Sequence, residues 1–162
     1  MQDFSSLSEM ANTSRYVTYA TVNEDGSPHN SPMFYIPSPD FDKIYMGTHP
    51  DSLHARNIAR TGQAFAVIFG QTLDGGAGIY FKVANFHEVS ESELAYALQA
   101  HNIARAKLNK TPLSIDYYQS PNPQRMYVGD IVEISTNGVI RGDDGGLSQD
   151  TRDMILPEDI IL

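Results

Sequence analysis

Short runs of β-branched and aromatic residues, punctuated by turn residues, set the pattern of the first half of the chain. Residues 15–22 (RYVTYATV) read as a strand. The Asp25-Gly26 pair that follows is a strong hairpin signal, and residues 28–36 (PHNSPMFYI) form the returning strand. Pro32 inside it cannot donate to a ladder, which places this strand at an edge or at a bulge. After the Ser38-Pro39-Asp40 turn, residues 43–47 (KIYMG) form a third strand.

Residues 52–60 (SLHARNIAR) carry a partial helical stripe of Leu53, Ala55, Ile58 and Ala59, with Ser52 as cap and Thr61-Gly62 as stop. Residues 63–69 (QAFAVIF) form a nearly continuous apolar run, the pattern of a strand buried on both faces. Residues 70–78 read as a glycine-rich loop and 79–89 as another strand. Ser90 and Glu93 make a capping box that opens a helix running to about Lys107. Residues 108–123 read as loop, 125–134 as a strand with a bulge at Gly129-Asp130, and 138–141 as an edge strand. From about residue 142 the chain is an acidic tail with poor periodicity. The order describes one α+β domain, mainly β, dominated by antiparallel sheet and spanning all 162 residues.

Composition narrows the function. A net charge of -9, with eleven scattered basic residues, argues against nucleic acid as a partner. No run approaches the ~20 apolar residues of a membrane helix. The first twelve residues lack the basic and apolar regions of a secretory signal, so a cytoplasmic location is expected. Without cysteine there is no disulfide, thiolate metal site or cysteine nucleophile. His29, His49, His54, His87 and His101 show no metal-binding spacing, and no metal site is expected.

The segment 47–58 (GTHPDSLHARNI) holds the candidate chemistry. A strand ends, a polar loop follows and a helix begins at Ser52. Helix starts leave N–H groups unpaired and carry partial positive charge, so they attract phosphate. Thr48, Ser52, His54 and Arg56 surround this one with donors; by itself the pattern also fits an ordinary capped surface helix.

In context the pattern goes further. The succession ATVNEDGSPHNSPMFYI, KIYMGTHPDSLHARNIARTGQAFAVIF and GIYFKVANFHEVSESE resembles the pyridoxamine-5′-phosphate-oxidase-like family of FMN-binding split β-barrels, over roughly residues 15–134. The resemblance implies a six- to eight-stranded antiparallel split barrel with flanking helices, and a homodimer holding FMN at its interface. Asn30, Ser31, Pro32 and Met33 match the strand whose backbone faces the flavin. Thr48, Ser52 and Leu53 match the strand end and helix start at the phosphate. His54 stands where many members have a lysine, and Ser31 where authentic oxidases have an arginine. Arg56, Lys82 and Arg60 are the cations that could make good the difference.

The implied function is FMN-dependent electron transfer between the flavin and a small organic substrate or NAD(P)H, with no acid–base residue assigned. Alternatives are a non-catalytic flavin-binding module for storage or sensing, and a split barrel that binds haem, a deazaflavin or a protein partner instead. The chain has no tryptophan, and its tail differs from the arginine- and tryptophan-containing end of the authentic oxidase, so vitamin B6 oxidation is not expected.

Overall fold

In the computed structural model, which describes residues 5–72, 75–141 and 147–161, three helices and eight strands follow one another. They are α1 (Ser5–Thr13), β1 (Tyr16–Val22), β2 (Pro28–Phe34), β3 (Ile36–Pro37), β4 (Lys43–Thr48), α2 (Leu53–Thr61), β5 (Ala64–Thr72), β6 (Gly75–Glu88), α3 (Glu91–Ala106), β7 (Arg125–Arg141) and β8 (Leu147–Met154). The strands form one antiparallel sheet in the order β2-β1-β5-β6-β7-β4-β3, with β8 paired to β7. The sheet curls into a half-barrel, as the split-barrel reading anticipates.

The inner face of the curl carries the main core, including Tyr19, Met46, Ile58, Ile68, Ile79 and Phe81. A second cluster lies outside the barrel, where Leu94, Ala97 and Ala100 of α3 pack on Ile36, Tyr45, Met126 and Val128. Among the described residues no helix covers the outer face of β1, β5 and β6: Tyr16, Phe65 and Phe69 are exposed there at 58%, 39% and 71%.

The barrel stays open along one seam. β2 bonds only to β1 at one end of the strand order, as Pro32 anticipates, and β3 ends the other. The reading of 28–36 as one strand needs correction: Tyr35 interrupts it. The Tyr35 N–H donates to the Arg15 carbonyl, after which Ile36 and Pro37 pair with β4 instead of β1. The two sides of the seam are therefore joined by a single residue at one end and separate at the other.

Three further expectations are corrected. The loop at 70–78 is mostly strand, since Gly70, Gln71 and Thr72 pair with Ala77, Gly76 and Gly75; residues 73–74 lie outside the described residues. Strands 125–134 and 138–141 are one continuous β7. Two bulges interrupt the β6–β7 pairing, one at Val132 on β7 and one at Asn85-Phe86 on β6, whereas Gly129 and Asp130 pair regularly with Ile44 and Lys43. Asn85, at φ +50°, and Phe86 are the inserted residues opposite Gly129, and a Cβ at Gly129 would lie 2.8 Å from the Phe86 ring.

The acidic tail is also structured beyond 146. β8 extends the sheet, and Ile155 and Ile160 enter the main core. There the chain meets α1, which the sequence reading missed. Leu7 and Ala11 are buried, the Ser8 hydroxyl and Asn12 amide both donate to the Ile160 carbonyl, and the two ends of the chain close on each other. Residues 142–146 lie outside the described residues.

Candidate functional site

The seam opens beside the start of α2. Ser52 caps the helix, its hydroxyl accepting the Ala55 N–H at 3.4 Å, and the left-handed Gly62 (φ +64°) closes it by donating to the Ile58 carbonyl. Ala55 and Ile58 are buried in the core. Asn57, 3% exposed, donates to Thr21 Oγ1 at 3.1 Å and accompanies that with a bond to Asn23 Oδ1 at 2.9 Å. These contacts lock α2 to β1 and fix where its first turn sits.

Three predicted residues converge at that turn. Thr48 Oγ1 lies 2.7 Å from His54 Nε2, Ser52 Oγ lies 3.0 Å from the same nitrogen, and the hydroxyls are 3.2 Å apart. The backbone N–H groups of Leu53 and His54 are among those a helix cannot satisfy within itself. From across the seam His29 of β2 completes the group. Its ring is stacked on that of His54, with centroids 6.3 Å apart and planes 7° from parallel, and its Nε2 is 2.9 Å from Ser31 Oγ.

Burial, and secondly the neighbouring His29, hold His54 below the usual histidine range. The cluster is internally bonded: each hydroxyl and imidazole finds a partner within it. Bringing an anion here would favour protonation of His54 and turn its ring N–H into a charge-assisted donor. Asp51, whose carboxylate is 85% exposed beside His49, faces away from the cluster.

Strand alternation sorts the remaining predicted residues. Ser31 and Met33 share the inner face with Tyr19 and Val17, whereas Asn30 and Pro32 are exposed on the outer face opposite Ala20 and Thr18. A run of four consecutive residues cannot all face one ligand through side chains, and the alternation that excludes Asn30 and Pro32 includes His29. That period-two pattern was the available signal for His29. Leu53 and Arg56 are exposed on α2. Arg60 is committed elsewhere, donating to the Val22 carbonyl. Lys82 lies on the outer face opposite Glu133, three strand spacings or about 14 Å from β2, and does not join the cluster within one protomer.

The seam site on a half-barrel of this topology is what the sequence resemblance anticipates, and a direct match agrees: the family described as pyridoxamine 5′-phosphate oxidase matches residues 6–136. The chain belongs to that family. No curated protein matches it in sequence. Among solved structures, a haem-binding protein from Mycobacterium smegmatis superposes with a TM-score of 0.66 at 18% identity, covering 99% of this chain; the chain spans only 60% of that protein's length. A pyridoxamine 5′-phosphate oxidase-related, FMN-binding protein from Nostoc punctiforme gives 0.53 at 14% identity, covering 93% of this chain and 94% of its own. An FAD-binding protein from Mesorhizobium loti gives 0.57 at 15%, with 79% and 88% covered. At these identities the structural likeness speaks for the fold.

Among the described residues no group of three or more His, Asp or Glu could hold a metal ion. Nor is any helix there long and apolar enough to cross a membrane.

Proposed function

We propose that this family member binds FMN with its phosphate at the open end of the seam and its ring against the exposed face of β2. The observation that carries the reading is the convergence of Thr48, Ser52, His54 and His29 on the first turn of α2. Two hydroxyls, two imidazoles and unsatisfied helix N–H groups suit a phosphate monoester, and no carboxylate points among them. Arg56, exposed on the same helix, supplies the permanent cation nearest in sequence.

A bound flavin would supply two-electron redox chemistry, exchanged with a small organic substrate or NAD(P)H. The protein's part is to hold the phosphate, to offer the backbone of Asn30 to Met33 to the ring, and to exclude water. Exclusion requires a cover over β2, and the bare outer face bearing Tyr16, Phe65 and Phe69 provides for a second copy of the chain. The working form is therefore a homodimer with the flavin between protomers.

The test is a visible absorption spectrum of the purified protein, followed by FMN titration with fluorescence detection. Saturable quenching in the micromolar range or below supports the reading, and NAD(P)H reduction then separates an oxidoreductase from a storage module. A second reading places haem where we place flavin, on the strength of the fold shared with the mycobacterial haem-binding protein and the half-buried His29 and His54 on the seam. A Soret band on haem addition, with no response to FMN, would decide for it.

A further inference from the structure

A cleft of about 460 Å³ opens at the end of the barrel away from the histidine pair. It lies between the last turn of α1, the turn before β4 and the C-terminal half of α3. Phe34, Phe41, Ala104 and Leu108 form its apolar wall, and Lys107 is the charged side chain that lines it. The volume falls within the range of small-molecule sites, ~300–1,000 Å³, and the mix of apolar wall with few polar groups is typical of them. His29 and Phe34 stand five positions apart on β2, so about 17 Å separates the two places.

Three features mark the cleft as more than a packing defect. Phe41 is 3% exposed and holds φ +55°, a conformation bulky residues seldom adopt; its N–H donates to the Ser38 carbonyl at 3.2 Å. The wall is thus held in place at a cost in strain. Ile103 and Ile161, both lining the rim, remain 45% and 43% exposed, so the apolar surface continues to the mouth. Finally, Arg105, Lys107 and Lys110 fall within six positions of a chain whose net charge is -9. Arg105 is bound to the Thr111 carbonyl at 2.7 Å, while the Lys110 ammonium sits 5.2 Å from the Phe34 ring, above the wall. On the far side Asp42 is engaged by the Ser38 hydroxyl at 2.7 Å.

We propose that this cleft binds an amphiphilic monoanion, an aliphatic chain of medium length ending in a carboxylate, with the chain between α1 and α3 and the carboxylate at Lys107 and Lys110. The apolar wall without the lysines would suit any oil-like molecule. The lysines, gathered where the rest of the chain repels anions, select the charged end. The site is independent of the flavin reading.

Calorimetric titration of the full chain with sodium decanoate, and with decanol as the uncharged control, tests it. One decanoate per chain is expected, with decanol at least tenfold weaker. Ala104→Phe fills the cleft and should abolish decanoate binding with the far-ultraviolet circular dichroism unchanged. Lys107→Glu, an exposed change that keeps the fold, should weaken decanoate at least tenfold and leave decanol alone. The proposal is overturned if decanoate does not saturate the wild type, or if it binds Lys107→Glu or folded Ala104→Phe as tightly as the wild type. Should Ala104→Phe fail to fold, Lys107→Glu decides.

Discussion

The rings of His29 and His54 lie almost parallel, 7° apart, across the one gap in the strand order of this half-barrel. Neither belongs to the same element as the other, so their stacking measures how closely the edge strand β2 approaches the helix start. Burial first, and then His29, hold the His54 pKa below the usual histidine range, so its charged form is disfavoured until an anion enters.

Affinity for FMN should therefore depend on pH in a way that affinity for riboflavin does not. His54 lies below its usual range, so protonation that favours phosphate is gained as pH falls through that lowered value. Charge-assisted bonds contribute roughly 1.5–3 kcal/mol each, so the FMN-to-riboflavin affinity ratio should rise about tenfold or more as His54 takes up its proton. His54→Lys should raise the ratio at pH 8 and flatten the profile. Equal pH dependence for both ligands, measured by fluorescence titration, would show that the phosphate sits elsewhere.

Asn57 makes a separate, structural prediction. Its buried amide links α2 to Thr21 and Asn23, and alanine would leave those partners unsatisfied. Asn57→Ala should lower stability by about 1–3 kcal/mol in urea unfolding. A change below 0.5 kcal/mol would mean that α2 is held by Ala55 and Ile58 alone.

Acid should unfold the protein partly through His101. Its ring is buried against Phe34 and the Tyr118 hydroxyl, and burial first, then Arg105 and Lys110, hold its pKa down to about 4. In the unfolded chain the value returns to about 6.5, so the unfolded state binds more protons between these two values. Stability is complete above pH 6.5 and declines as pH falls toward 4, by roughly 3 kcal/mol at 1.36 kcal/mol per pH unit. His101→Gln should remove much of that slope, leaving the part of the same sign due to His54. An unaltered slope in denaturant titrations at several pH values would contradict the assignment.

The dimer is testable on the bare sheet. Phe69, 71% exposed, and Phe65 project from β5 with no helix over them. Phe65→Asp with Phe69→Glu should yield monomers in sedimentation velocity and, if flavin lies between protomers, weaken FMN binding at least tenfold. A wild type that sediments as a monomer at micromolar concentration would dismiss the shared site.

The sequence made the middle of the fold readable because its signals there are local. The Asp25-Gly26 hairpin, the Ser52 cap and the Gly62 stop each act within a turn, and Pro32 announced an edge by its missing N–H. The ends were illegible for the opposite reason. Among the described residues, Ser5–Thr13 brings Leu7, Ala11 and the half-buried Met10 to the core, too short a stripe to announce a helix, and the polar β8 is a strand because β7 continues far enough to pair with it. The first depends on Ile160, about 150 positions away, and the second on a β7 longer than its own sequence signals.

The candidate site divides along the same line. Thr48, Ser52 and His54 lie within seven residues and were named from their spacing. The alternation along β2 puts His29 on the face of Ser31 and Met33, but its meeting with His54 depends on β2 folding beside α2, and for Arg56 and Lys82 a linear reading gives the charge without its direction.

The Tyr35 junction gives the seam an apex. Since β2 and β3 are joined there by one residue, the opposing edges have no freedom to slide past each other and can part only as a wedge. Displacement must vanish near Tyr35 and grow toward His29, so a molecule entering the gap meets the most compliant part of the barrel at its mouth and an unyielding one at its depth.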